Sequence, residues 1–184
     1  MRIVIGLLIL LLAGAASAQP QQASVRVTGH VSAAYQIEAV SSLSSAGSGV
    51  RISQRGSDTI LISVQPATGR PEKDHVVEVV LALRTNAEGF QLLASNDGAE
   101  TVISLSPLAA SGSGALVAPG AATSFHGLTG RRISGAEEVV ASGGRVSAGG
   151  RFSSPDNALL VKLVGRIVGA QPAILTLKMA SKPS

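Results

Sequence analysis

The side chains able to do chemistry are few and scattered. The three histidines, His30, His75 and His126, match no local metal spacing such as His-x-x-x-His. His30 falls on the polar face of an alternating run and His75 beside a charged loop, so both are expected at the surface. Glu72 and Asp74 flank Lys73, and Glu137-Glu138 form a pair. Neighbours on a strand point to opposite faces, so that pair would not share a site. Paired carboxylates from distant strands, as in glycoside hydrolysis, find no support in the spacing. Asn96-Asp97-Gly98 and Asp156-Asn157 carry too few ligands for a calcium loop and read as turns.

Nucleophile patterns are missing as well. Serine is common, yet no Gly-x-Ser-x-Gly elbow and no Ser-x-x-Lys occurs. No Gly-Lys-Ser/Thr follows the glycines, so they form no phosphate loop. Gly143-Gly144 and Gly149-Gly150 read as bends beside strands. With no cysteine at all, thiol catalysis, thiolate metal sites and disulfides are excluded. The expectation is a non-catalytic protein with no cofactor and no metal site.

The elements that would position any site are strands. His75 to Thr85 and Ala158 to Gly169 are the strongest runs, β-branched-rich and without helical periodicity. Asn86 to Gly89 and Asn96-Asp97-Gly98 read as tight turns, making residues 75 to 106 a three-stranded meander. Residues 158 to 169 and 174 to 180 read as a C-terminal hairpin about Gln171-Pro172. Shorter strands are expected at Val50 to Ser53, Thr59 to Val64, Thr123 to His126 and Arg131 to Ser134, with Glu137 to Ala141 either a strand or one helical turn. Residues 41 to 49, 65 to 74 and 107 to 122 read as loops, with a brief pairing conceivable at Leu116-Val117. The sum is an all-β, antiparallel β-sandwich, immunoglobulin-like, of roughly nine to eleven short strands.

Residues 1 to 18 have the layout of a signal peptide: Arg2, an apolar run from Ile3 to Ala13, and Ala16-Ser17-Ala18 before a cleavage point. The mature chain, residues 19 to 184, is then one domain with an N-terminal arm at 19 to 32, secreted, periplasmic or at the cell surface. No membrane span is expected after cleavage, because the apolar run is too short. Few aromatics rule against a transmembrane barrel with its girdles. They also count against a nucleic-acid surface, despite a net charge of +4. Missing cysteines and glycosylation sequons suit a bacterial envelope protein. For a sugar platform, Tyr35 and Phe152 are the exposed-aromatic candidates.

Residues 24 to 40, SVRVTGHVSAAYQIEAV, alternate for longer than a normal strand, roughly 50 Å. Three readings are open. The run bends at Gly29 or Ala33-Ala34 and crosses between sheets; or 24 to 31 is an ordinary edge strand; or the arm pairs with another subunit by strand addition. The layout of signal, alternating arm, all-β body and alternating final strand AILTLKMA resembles chaperone–usher pilins and related fimbrial or spore-coat-type surface proteins. It departs from them in lacking a cysteine pair and a near-terminal tyrosine, with Met179-Ala180 in the last strand. The resemblance implies assembly into a surface fibre, or adhesion, with Val25, Val27, Gly29 and Val31 as the donor face. Self-assembly or another envelope protein would be the partner. A secreted sandwich binding a glycan or protein partner is the alternative, and a secreted hydrolase the more distant one.

Overall fold

The computed structural model describes residues 32–44, 48–66, 74–108, 124–146 and 158–183. The chain divides into two units, Met1–Val31 and Ser32–Ser184, and all described residues belong to the second. Eleven strands occur among them: β1 (Tyr35–Ser44), β2 (Gly49–Arg55), β3 (Thr59–Gln65), β4 (His75–Thr85), β5 (Gly89–Gly98), β6 (Thr101–Pro107), β7 (His126–Gly127), β8 (Arg131–Ile133), β9 (Glu138–Gly144), β10 (Leu159–Ile167) and β11 (Ala173–Ser181). They form two antiparallel sheets, ordered β1-β4-β10-β6-β8 and β2-β3-β11-β5-β9-β7. The expected all-β sandwich is the architecture.

Pairing follows a simple rule. β3 pairs with β11, β4 with β10, β5 with β9 and β6 with β8. The chain is a two-stranded ribbon whose rungs fall alternately in one sheet and the other. That is the order of a jelly roll, which refines the immunoglobulin-like label within the sandwich class. β1 adds to the free side of β4, β2 to that of β3, and β7 to that of β9.

Burial accounts for the layers. Val77, Val79, Leu81 and Leu83 of β4 alternate inward, facing Ile60, Ile62, Leu175, Leu177 and Met179 from the opposite sheet. Phe90 and Phe125 sit in the same core with ring centroids 6.5 Å apart. Burying each such side chain contributes roughly 1.5–3 kcal/mol, which must hold a domain without disulfides.

Two expected hairpin arrangements are corrected. The strands of residues 75 to 106 exist, but β4 and β6 lie in one sheet and β5 in the other, so they are no meander. Likewise β10 and β11 belong to different sheets and form no C-terminal hairpin. In each case both strands need one face in the core, and the linker carries the chain across the sandwich. At Asn96-Asp97-Gly98 the crossing is held by a buried polar corner. The Asn96 amide donates to the Ala99 carbonyl at 2.7 Å, and the Thr101 hydroxyl donates to Asn96 Oδ1 at 3.1 Å. Gly98 has φ +98°, and a Cβ there would stand 2.1 Å from the Pro172 carbonyl oxygen, so only glycine fits.

The N-terminal expectations change too. Residues 41 to 44 are strand rather than loop, because Ser41–Ser44 pair with Val80–Val77 of β4. β1 begins only at Tyr35; Ser32 to Ala34 precede it outside any strand. The bend proposed at Gly29 and the donor-face residues Val25, Val27, Gly29 and Val31 lie outside the described residues, as does Leu116-Val117.

Candidate functional site

Among the described residues the histidines and carboxylates do not gather in one place. His75, expected at the surface, is buried at the start of β4. It points inward with Val77, and its Nδ1 lies 2.7 Å from the Ser48 hydroxyl. His126 is on β7, exposed. Glu138 accepts two bonds from Arg131, at 3.0 and 2.9 Å, while Glu137 is exposed. Among the described residues no three His, Asp or Glu side chains gather as a metal site. Tyr35 packs half-buried against the core instead of standing free, Phe90 and Phe125 are buried, and Phe152 lies outside the described residues.

The feature that stands out is one flank of the sandwich. β1 ends the first sheet and β2 the second, side by side. Near the start of β1 the two sheets are tied together. The Ile37 N–H donates to the Ser57 carbonyl at 2.9 Å, and the Gln54 amide donates to the Ile37 carbonyl at 2.8 Å. These bonds show that Ile37 turns its backbone groups away from β4. Ala39, two residues on in the same phase, does so as well.

Beyond Ala39 the tie ends. The register slips between Ala39 and Ser41, which makes Val40 the bulged residue. The bulge reverses the phase. Ser42 and Ser44 now face inward with Val79 and Val77, and Leu43 faces outward beside Glu78. Val40 is 59% and Leu43 70% exposed. Across the gap, Val50 and Ile52 of β2 point inward but are only partly covered. The space between is an open groove of about 320 Å³ lined by Glu38, Ala39, Val40, Ser41, Ser42, Ile52 and Gln54. The Glu38 carboxylate on its rim is held 3.1 Å from Nη1 of the buried Arg84.

A strand edge with no partner among the described residues, half-covered core residues and exposed apolar side chains make a template for another strand. Reading the sequence missed Val40, Leu43, Ile52 and Gln54 as members of one site. The signal available was Val40 itself, an apolar residue directly after Ala39 that breaks the alternation of Tyr35, Ile37 and Ala39.

The described fold therefore defines an antiparallel β-sandwich of jelly-roll order with one flank left open. The likeness to solved structures is weak. One is a family 11 carbohydrate-binding module from Clostridium thermocellum in complex with a β-1,3-1,4-mixed-linked tetrasaccharide. It is 10% identical, with a TM-score of 0.30, over 75% of this chain and 87% of that one. Another is the family 11 carbohydrate-binding module of the cellulosomal cellulase Lic26A-Cel5E of the same organism. It is 9% identical, with a TM-score of 0.27, over 84% and 92% of the two chains. Neither is a pilin or a spore-coat protein. No family model matches the chain, and no curated protein matches it.

Proposed function

We propose that this is an exported, non-catalytic assembly module that joins copies of itself by strand addition at the β1/β2 flank. The observation that carries the reading is the open groove beyond Ala39, where Val50 and Ile52 are half-covered and Val40 and Leu43 are exposed. The occupant is the segment 24 to 31 of a second copy, which runs directly into Ser32 and β1 of its own chain. Eight extended residues reach ~27 Å, enough to line most of a strand the length of β1. Val25, Val27, Gly29 and Val31 supply an apolar or small face for Ala39 and Ile52, and Arg26 on the other phase suits the Glu38 rim.

The neutral-glycan version of the alternative wants an exposed ring, and no described aromatic provides one. The test is the association state of the mature chain. Concentration-dependent oligomers are expected, which Val27→Asp abolishes and Arg26→Ser weakens only slightly. A monomer at all accessible concentrations, or oligomers indifferent to Val27→Asp, would overturn the proposal.

A further inference from the structure

The outer faces of the two sheets differ in how their charges are used. On the first sheet each basic side chain has a carboxylate: Arg84 with Glu38, Arg132 with Glu100, Lys162 with Glu78 and Arg166 with Asp74, at 2.7 to 3.2 Å. On the second sheet Arg51 and Arg55 of β2, Lys178 of β11 and Lys182 just past it form no ion pair among the described residues.

Register places these four in one stripe. Arg51 and Arg55 share the outward phase of β2, ~13 Å apart. Arg55 is opposite Thr59, and Thr59 is opposite Lys178, so Arg55 and Lys178 are level and two strand spacings apart, ~10 Å. Lys182 continues the phase of Lys178 and packs beside Gly89 of the neighbouring strand. The carboxylates nearest the stripe are Asp58 in the β2–β3 turn, which accepts a bond from the Thr59 hydroxyl, Asp97 opposite Ile174, and Glu88 in the groove that Lys182 lines. At the Arg51 end a groove of about 330 Å³ adds Ser63 and Gln65 as hydrogen-bonding walls, with Ile174 as an apolar wall.

We infer that this stripe binds a linear acidic polysaccharide, one carrying carboxylate or sulfate groups. Unpaired cations stepping roughly 10–13 Å apart along a diagonal of the sheet match a polymer with repeating anions. Hydroxyl and amide walls match ring hydroxyls. The absence of an exposed ring on this face, among the described residues, removes the stacking that single-stranded nucleic acid uses. The inference stands apart from strand addition, because the stripe shares no side chain with the β1/β2 groove.

The experiment uses the mature chain carrying Val27→Asp, so that assembly does not amplify binding. Its probes are alginate, heparin, a neutral mixed-linked β-glucan and a DNA duplex of matched charge. Expected are binding to alginate and heparin that weakens steeply with salt, and none to the neutral glucan. Arg51→Gln with Arg55→Gln should lower affinity about tenfold, and Lys178→Gln with Lys182→Gln should do the same. Lys162→Gln on the first sheet should leave it unchanged, and unaltered melting temperatures keep folding out of the comparison. No binding to either polyanion, an equal loss from Lys162→Gln, or tighter binding to the duplex than to both polysaccharides would overturn the inference.

Discussion

The two flanks of the sandwich solve the same problem in opposite ways. At the β7/β8 flank the edge strands are short, and the backbone itself bridges the sheets. The Leu105 N–H of β6 donates to the Leu128 carbonyl and the Leu128 N–H donates to the Val140 carbonyl of β9, both at 2.9 Å. Gly130 N–H reaches the Ser104 hydroxyl at 2.9 Å, and Arg131 holds Glu138. At the β1/β2 flank the strands are ten and seven residues long, and the bridge stops at Ile37. A jelly roll has two such sides. Closure depends on where the chain crosses between sheets close to the edge, and length without crossing leaves an edge exposed.

That contrast can be broken by substitution. The largest effect is expected at Ile133, a buried β8 residue of the closed flank: Ile133→Ala should cost about 2–4 kcal/mol in urea unfolding. Gly127→Ala comes next, at about 2–3 kcal/mol, because a Cβ there would lie 2.4 Å from the Leu105 carbonyl oxygen. Gly49→Ala at the open flank, where the nearest atom is Gln65 Cβ at 3.8 Å, should change stability by less than about 0.5 kcal/mol. If Gly49 proves as costly as Gly127, the flanks are not built as described.

Smaller effects sharpen the boundary. Gln54→Ala removes the side-chain bond to the Ile37 carbonyl and should cost about 1 kcal/mol, measured by the same unfolding midpoint. Arg131→Ala breaks an exposed ion pair and should cost about 0.2–1 kcal/mol, less at high salt. Val40→Ser with Leu43→Ser should leave the melting temperature of the isolated chain almost unmoved, since both side chains are already in water, yet weaken self-association by about tenfold or more.

Much of the strand content was legible because inward alternation is local. Alternation marks β10, while β-branched content marks β4 and the Asp97-Gly98 pair marks a turn. Sheet membership was not legible, because Gly98 and Pro172 mark turns whether the chain doubles back within a sheet or crosses to the other. The crossing shows in the change of partner: Gly98 still pairs with Ala173 of β11 in one sheet, while Thr101 already pairs with Ile167 of β10 in the other. His75 misled for a related reason: a charged loop precedes it, but the phase it shares with Val77 and Val79 decides its burial. The groove was hidden because it joins β1 and β2 through a bulge, and a bulge at Val40 resets alternation in a way no period reveals.

In the proposed assembly, segment 24 to 31 of one copy lies along the open flank of another. Because the chain has no cysteine, a single introduced pair gives an unambiguous answer. Mature protein carrying Val27→Cys, mixed with a second preparation carrying Ser42→Cys and oxidised gently, is expected to yield a covalent dimer. The same Val27→Cys protein mixed with a Leu128→Cys preparation, its cysteine on the closed flank, is expected to stay monomeric. Equal cross-linking to both flanks, or none to Ser42→Cys, would contradict the account.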